Sequence, residues 1–281
     1  MTTTATEAPA VARPPAMSPL RQTLRLTRTE FTLFVRYKTA WMFLALALFM
    51  FVIPMNMPNE PVVGDVGSAH HAKIAAMGSI GLIIGIGHPS NVFTARRESL
   101  VLKQMRVSGV TQGALFGAVT LLVVVMSLLI SVLGVGLIYA NSGALPGDPV
   151  MLALAIALSA VSMSFLGLCV SPMARTAESA QMAAMVPMMF LLFTGGGVIP
   201  TAMFPDAFVE VLSYLPSTAA GQLAQAAYTG HDVFSGYENA APAGFLELWV
   251  SALPAIGLLL LWTLLFAVLA LRIFRWDPRQ P

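Results

Sequence analysis

The sequence contains few charged residues and almost no cysteine or lysine. Only 10% of its 281 residues are Asp, Glu, Lys or Arg, whereas 57% are hydrophobic. This composition excludes a soluble domain, which must cover its surface with polar groups. The single cysteine, Cys169, excludes an intramolecular disulfide, and no Cys/His spacing indicates a metal site. None of the three lysines, Lys38, Lys73 and Lys103, follows a glycine, so the sequence lacks a phosphate-binding loop of the form GxxxxGK(S/T).

Long apolar runs make up most of the remaining sequence. A transmembrane helix needs about 20 predominantly apolar residues, and six runs are of that order. None of them alternates apolar and polar residues as the strands of a membrane barrel do. We therefore expect an all-α integral membrane protein with six transmembrane helices. The predicted spans cover residues 40–57, 74–95, 112–140, 149–170, 179–196 and 248–271.

The basic residues cluster on one side of the predicted membrane. If the N-terminus is inside, 14 of the 15 Lys and Arg residues lie on the inner side, and Lys73 is the exception. The outer loops carry acidic residues instead. Since Lys and Arg in short loops are retained in the cytoplasm, we expect both termini to be cytoplasmic. This topology accounts for the cations, so they do not indicate a nucleic-acid partner.

The N-terminal region divides into a tail and an amphipathic segment. Residues 1–20 are rich in Thr, Ala and Pro, which is typical of a disordered cytoplasmic tail and not of a signal peptide. Residues 21–38 place four arginines in one helical sector, with apolar residues over the rest. We expect this segment to form an interfacial helix in the inner headgroup layer. The alternative is that the first span begins early with a charged flank.

A second amphipathic segment lies between spans two and three. The stretch TARRESLVLKQMRVSG contains four basic residues. A helix over residues 96–108 would group Val101, Leu102 and Met105 in one sector and set charged side chains on the opposite side. Such a helix offers apolar contacts to a lipid surface or to a soluble partner. Taken alone, the segment is equally compatible with a loop that only orients the spans.

The segment after span five contains too many glycines and prolines to form one helix, and it is too apolar for a loop in water. Glycine costs about 1 kcal/mol and proline about 3 kcal/mol in a helix interior. We therefore expect re-entrant elements over residues 195–230, which are tolerated at membrane depth only where protein covers their backbone. An outer loop folded over the helix ends is the alternative. The helix-breaking residues are Gly195, Gly196, Gly197, Pro200, Pro205 and Pro216.

These two segments resemble those of the permease subunits of type 2 ABC exporters, a family that includes drug, polysaccharide and antibiotic exporters. Between spans two and three the family carries a coupling helix near RExGTLKxLRxTP. Arg97, Glu98, Lys103 and Arg106 match that pattern, although Leu-Val replaces the family's Gly-Thr. Between spans five and six it carries a segment near GxxxPxxxLPxxLxxLxxxNPxxY, and GGGVIPTAMFPDAFVEVLSYLPST is similar.

The resemblance extends over about residues 21–275 and implies a mechanism. It implies a permease domain over residues 39–275, a cytoplasmic tail over 276–281, a second permease, and two ATPase subunits that bind ATP and magnesium. No cofactor is expected in this chain. Closure of the ATPases would push the coupling helix and repack spans two and five. The implied coupling residues are Arg97, Glu98, Val101, Leu102, Lys103, Met105 and Arg106, and the helix-breaking residues after span five would form the outer gate.

Spans two and five are the usual central lining in this family. Methionine surfaces adapt to varied apolar shapes, so we expect a hydrophobic or amphipathic cargo such as a drug, an antibiotic or a lipid-like molecule. Ordinary helix packing is the alternative for each of these positions. The candidate residues of the substrate path are His88, Asn91, Gln181, Met185 and Met189.

Two other classes remain alternatives to an efflux permease of the bacterial plasma membrane. A secondary transporter or channel would normally place ionisable groups at mid-membrane, where His88 is the one clear candidate. An accessory membrane scaffold is also compatible with the sequence. An intramembrane enzyme would need a nucleophile or a metal set, and the spans contain no GxSG or HExxH pattern.

Overall fold

The computed structural model describes residues 18–36, 38–52, 54, 61–63, 66–195, 205–236 and 240–277. Most of these residues are helical, and two short antiparallel strand pairs precede α3 and α10. The predicted all-α membrane fold is confirmed. The helices are α1 (Pro19–Arg36), α2 (Lys38–Val52), α3 (Ser68–Glu98), α4 (Val101–Val107), α5 (Gln112–Ser142), α6 (Pro149–Val170), α7 (Ala177–Thr194), α8 (Asp206–Ser213), α9 (Pro216–Thr229) and α10 (Phe245–Ile273). The strands are β1 (Pro61–Val63), β2 (Val66–Gly67), β3 (His231–Asp232) and β4 (Ala241–Pro242).

Among the described residues, five helices are long and apolar enough to cross a membrane, namely α3, α5, α6, α7 and α10. Predicted span one corresponds to α2, which has 15 residues and meets the same criterion only together with α1. The chain bends by 76° between these two helices. Residues 53, 55–57 and 196 of the predicted spans lie outside the described residues. Inner and outer below denote the predicted orientation of the bundle.

The amphipathic helix α1 packs along α5. It buries Glu30 and Phe34, and the methyl group of Thr23 lies beside Gly117 of α5. Its arginines are exposed, and so are the apolar side chains of Leu24 and Phe31. Residues 1–17 of the predicted tail lie outside the described residues.

Helix α3 forms the centre of the bundle. Its apolar stretch is mostly buried inside the chain, where it contacts α2, α5, α6, α7 and α9. Glycines make the approach to α6 close, because a Cβ atom at Gly85 would lie 2.8 Å from Met163 Cβ and one at Gly167 would lie 2.6 Å from the Gly85 carbonyl. The small residues of span two therefore serve helix packing, the alternative considered for them.

Helix α9 lies inside the bundle. Nearly all of its residues are buried, and it contacts α3, α6 and α10. The Gln225 side chain donates to the His71 carbonyl at 2.7 Å near the outer end of α3, and Gly221 meets Gly78 further along that helix. Since α9 packs lengthwise against α3, its backbone is covered by protein, as a re-entrant helix requires.

The start of α6 is fixed by one carboxylate. Asp148 Oδ1 accepts hydrogen bonds from the Val150 and Met151 amides, both at 2.9 Å, and so caps the helix. Its second oxygen accepts from Trp249 Nε1 at 2.7 Å. This buried side chain thereby joins the outer ends of α6 and α10.

A candidate coupling site at the inner end of the bundle

The predicted coupling helix over residues 96–108 is divided in two. Helix α3 continues through Glu98, and α4 covers only Val101–Val107. Between them, Leu100 adopts a left-handed conformation with φ 61° and ψ 8°, which is unusual for a residue with a side chain. The structure thus corrects the single helix of the sequence analysis. Arg96, Arg97 and Glu98 belong to the end of span two, and α4 leaves it through a sharp turn.

Arg97 fastens the end of α3 to the connection between α6 and α7. Its Nη2 atom donates to the carbonyls of Ser171 and Ala174, both at 2.7 Å. The residue is 2% exposed. We expected Arg97 to contact an ATPase at the rim of the coupling helix, but its guanidinium is enclosed by this chain's own backbone. It holds the inner ends of three helices together.

Glu98 and Asn91 connect α3 to the start of α7. Glu98 Oε2 accepts from the Ala177 amide at 3.1 Å, so an anion lies at the N-terminus of α7, where the helix dipole favours it. Asn91 Nδ2 donates to the Ala177 carbonyl at 3.2 Å. Both predicted site residues therefore link the inner ends of spans two and five.

An ion pair between Glu30 and Arg96 links α1 to α3. The two guanidinium nitrogens donate to the two carboxylate oxygens at 2.7 and 2.6 Å, and Glu30 is 2% exposed. Bidentate pairs of this kind fix geometry as well as charge. Neither Glu30 nor Arg96 is among the predicted site residues. The sequence does single out Glu30, because it is the one acidic residue within an arginine-rich amphipathic helix.

The beginning of α1 is attached to the other end of the α4 segment. Gln22 Nε2 donates to the Gly109 carbonyl at 3.1 Å, and Gln22 Oε1 accepts from the Thr111 amide at 3.2 Å. Thus α1 is bonded both to the end of α3 before α4 and to the turn after it. These three segments form one connected unit.

The side chains of α4 face two ways. Leu102 is fully buried, and Met105 packs against the cluster that contains Leu102 and Phe93. Val107 is 84% exposed and Leu100 is 47% exposed, with exposed Lys103 and Arg106 beside them. Leu102 was expected to anchor an ATPase, but it is buried inside the chain in a cluster with Phe93 of α3 and Leu115 of α5. The freely exposed apolar side chains are Leu100 and Val107.

A groove runs between α1 and α4. It encloses a cavity of about 260 Å³, and the Glu30–Arg96 ion pair lines it. Two predicted anchors, Val101 and Met105, contribute to its wall, although neither is fully exposed. The apolar face of α1 contributes Leu26 and Leu33. The groove and the exposed edge of α4 thus form a continuous surface on the inner side, which we name the α1–α4 surface.

Of the candidate path residues of span five, Met185 lies on an open face of α7, whereas Gln181 and Met189 are partly covered by neighbouring helices. Met185, Val186 and Phe190 are exposed, and Gln181 Nε2 lies 3.5 Å from Met42 Sδ of α2. Met189 is half-buried against a cluster shared by α2, α3 and α7. An apolar face of this extent on a membrane helix contacts lipid, a second protein or cargo.

His88 lies away from that open face. It is buried, and its ring meets the ring of Phe34 of α1 edge to face, with centroids 4.9 Å apart. Its Nε2 atom has no hydrogen-bond partner among the described residues. The structure therefore places His88 in the packing between α1 and α3.

Three predicted gate residues fall within the described part of the outer segment. Pro205 precedes α8, Pro216 begins α9, and Gly195 ends α7. A Cβ atom at Gly195 would lie 2.8 Å from the Ser217 Cβ, and Gly195 and Gly221 are also in close contact. Gly196, Gly197 and Pro200 lie outside the described residues.

The fold is that of a multi-pass membrane protein. Hydrogen bonds and an ion pair connect the inner ends of its helices close to the point where α4 leaves α3. A family model described as "ABC-2 family transporter protein" matches residues 72–272. The chain therefore belongs to the ABC-2 transporter family, as its resemblance to type 2 exporter permeases implies, and it is a transport permease domain. No curated protein matches the sequence significantly.

Proposed function

We propose that this chain is one of two permease subunits of an ATP-driven exporter in a bacterial plasma membrane. Its partner is a second copy or a related permease, and two cytoplasmic ATPase subunits bind ATP and magnesium beneath the pair. Both termini are cytoplasmic in this arrangement. The observation that carries the proposal is the network that joins the inner end of α3, from which α4 departs, to α1 and to the start of α7 on the side rich in Lys and Arg.

The α1–α4 surface is the proposed docking site of an ATPase. Val107 and Leu100 offer exposed apolar contacts, and Lys103 and Arg106 lie beside them, with Asp277 3.9 Å from Arg106. The groove beside them, walled by Val101 and Met105, can receive an apolar side chain. Interfaces of this type combine a few apolar anchors with a polar rim.

A movement of α4 would be transmitted to the membrane spans through the contacts at the inner end of α3. The Ser99–Leu100 turn connects α4 directly to α3. Arg97 and Glu98 connect α3 to the start of α7, and Arg96 connects it to α1. Closure of the ATPases would shift these elements together and repack the inner ends of spans two and five, which switches access between the two sides.

The open face of α7 is the proposed boundary of the cargo path. Met182, Met185 and Val186 are exposed there, and a second permease placed against this face would enclose an apolar, methionine-rich passage. Such a lining favours a hydrophobic or amphipathic molecule. At its outer end, the contact of Gly195 with α9 would form part of the gate.

Copurification from native membranes tests the proposal. The tagged protein, extracted in mild detergent, should bring down a stoichiometric ATPase, and the complex should hydrolyse ATP. Val107→Asp should remove the ATPase without changing membrane insertion, because it places a carboxylate in the apolar contact. Val107→Thr, which keeps the side-chain shape without a charge, is the matched control and should retain the ATPase.

The same experiment separates the rival classes. Wild-type protein that is pure, folded and free of any ATPase would favour a secondary transporter or an accessory scaffold. An ATPase that remains bound to Val107→Asp would place the docking site elsewhere on the inner surface.

A further inference from the structure

A second cavity lies on the opposite side of the molecule from the coupling site. It is a cleft of about 720 Å³ between the α8–α9 segment and α10, within the size range of ligand sites. Tyr214 and Leu261 are among its lining residues. Trp262 Nε1 donates to the Tyr214 carbonyl at 2.8 Å and fastens α10 to the α8–α9 junction there.

The lining of the cleft changes from polar to apolar along α10. The outer end is formed by Asp232, the last residue of β3, by Ser235 in the turn after it, and by Ser251 of α10. Further along α10 the lining residues are Pro254, Gly257, Leu258 and Leu261. With a rise of about 1.5 Å per residue, Leu261 lies roughly 10 Å deeper than Pro254. Along α10 this order of groups matches a molecule with a polar head at the membrane surface and an apolar tail in the hydrocarbon, while Ser213 and Gln222 add polar groups on the opposite wall.

The formal charge at the outer end of the cleft is negative. The sequence contains no Lys or Arg between Arg175 and Arg272, a stretch that includes all elements of the cleft. Asp232 Oδ1 accepts from the Phe234 amide at 3.1 Å, while its Oδ2 atom has no hydrogen-bond partner among the described residues. A cationic group would complement this carboxylate, whereas an anionic headgroup would be repelled.

We propose that the cleft binds a membrane phospholipid with an amine-bearing headgroup. The amine lies at Asp232, the hydroxyls of Ser235 and Ser251 donate to the phosphate, and one acyl chain runs along Leu258 and Leu261. The site lies in the outer half of the membrane under the proposed orientation. It requires neither ATP nor an ATPase.

Photocrosslinking in reconstituted nanodiscs tests this site. The full-length protein is reconstituted with phosphatidylethanolamine that carries a diazirine in its acyl chain, and in parallel with phosphatidylglycerol that has identical chains. After irradiation, labelled peptides are mapped. Labelling of residues 254–262 should be about fivefold stronger with phosphatidylethanolamine, which corresponds to roughly 1 kcal/mol for one exposed charge pair.

Two substitutions separate head and tail recognition. Gly257→Phe should abolish the labelling, since an added Cβ there meets no atom within 4 Å and the new ring can enter the cleft. Gly136→Phe, at a position on α5 with equally open space, is the control and should leave it unchanged. Asp232→Asn, whose amide oxygen can still accept from Phe234, should equalise the two lipids.

Equal labelling by both lipids in the wild type would overturn the proposal, as would labelling that persists in Gly257→Phe. Selective labelling of a protein that binds no ATPase would support this site while contradicting the proposed function. The two proposals therefore fail independently.

Discussion

Glu30 and Arg96, 66 residues apart in the sequence, form a buried bidentate ion pair with N–O distances of 2.7 and 2.6 Å. The pair joins the amphipathic helix α1 to the last turn of α3. An interfacial helix held only by lipid would need no such contact. We therefore interpret α1 as a structural part of the coupling unit, attached at Glu30 and again at Gln22.

Glu30→Gln should release α1 from the bundle, because Arg96 would remain buried without its counter-ion. Breaking a buried pair in this way costs about 3–5 kcal/mol. Limited proteolysis with trypsin, which cleaves after the α1 arginines, should be accelerated roughly hundredfold, the factor to which about 3 kcal/mol corresponds.

A double substitution serves as its control. Glu30→Met with Arg96→Met removes both charges and keeps apolar volume, so slow cleavage should return. Cleavage of Glu30→Gln at the wild-type rate would show that the ion pair does not hold α1 in place.

Gly167→Ala should destabilise the bundle, because its Cβ would lie 2.6 Å from the Gly85 carbonyl at the contact of α6 with α3. Overpacking of this kind costs about 1–3 kcal/mol. Thermal melts followed by helical circular dichroism should show a lower midpoint. Gly136→Ala, at a site where the added methyl group meets nothing, should leave the midpoint unchanged or raise it.

Asp148→Ala should lower the free energy of unfolding by about 1–3 kcal/mol, because it removes the cap of α6 and leaves Trp249 Nε1 without its acceptor. Unfolding can be followed by thiol-dye labelling of buried Cys169, the single cysteine. Asp148→Asn retains an accepting oxygen for the cap but places an NH2 group opposite Trp249 Nε1, so it should recover the capping part of the loss only. Equal effects of the two variants would contradict the capping role.

Gly195→Val should reduce coupled export at least about tenfold, the effect of roughly 1.4 kcal/mol on a gating equilibrium. Its Cβ would lie 2.8 Å from Ser217 Cβ, where α7 meets α9. The ATPase should still copurify, because Gly195 lies at the opposite end of α7 from Ala177. Unchanged export would remove Gly195 from the proposed gate. Gly113→Val, in open space at the start of α5, is the control.

The transmembrane helices could be predicted from the sequence because apolar runs of membrane length have few alternatives. Helices α5, α6 and α10 lie within a few residues of the predicted spans. The break at Leu100 could not be predicted, since leucine rarely adopts positive φ and no glycine or proline marks the turn. That break turned Leu102 toward the bundle and left Val107 exposed.

The contacts of the site could be predicted only in part. Arg97 and Glu98 were selected by their resemblance to a family pattern, but their partners, Ser171 and Ala177, lie more than 70 residues away. Such pairings depend on tertiary packing and leave no periodic signal. His88 was considered for the cargo path because of its chemistry, whereas packing against Phe34 determines where it lies.

Photocrosslinking from α4 in membranes of the native host tests most directly whether α4 contacts an ATPase. A photoreactive amino acid is placed at Val107, which is 84% exposed, and in a second sample at Leu102, which is buried. We predict a crosslink from position 107 to an ATPase subunit that changes in yield when ATP is added, and none from position 102. Crosslinking of position 107 to lipid alone, with the ATPase present in the same membranes, would contradict it.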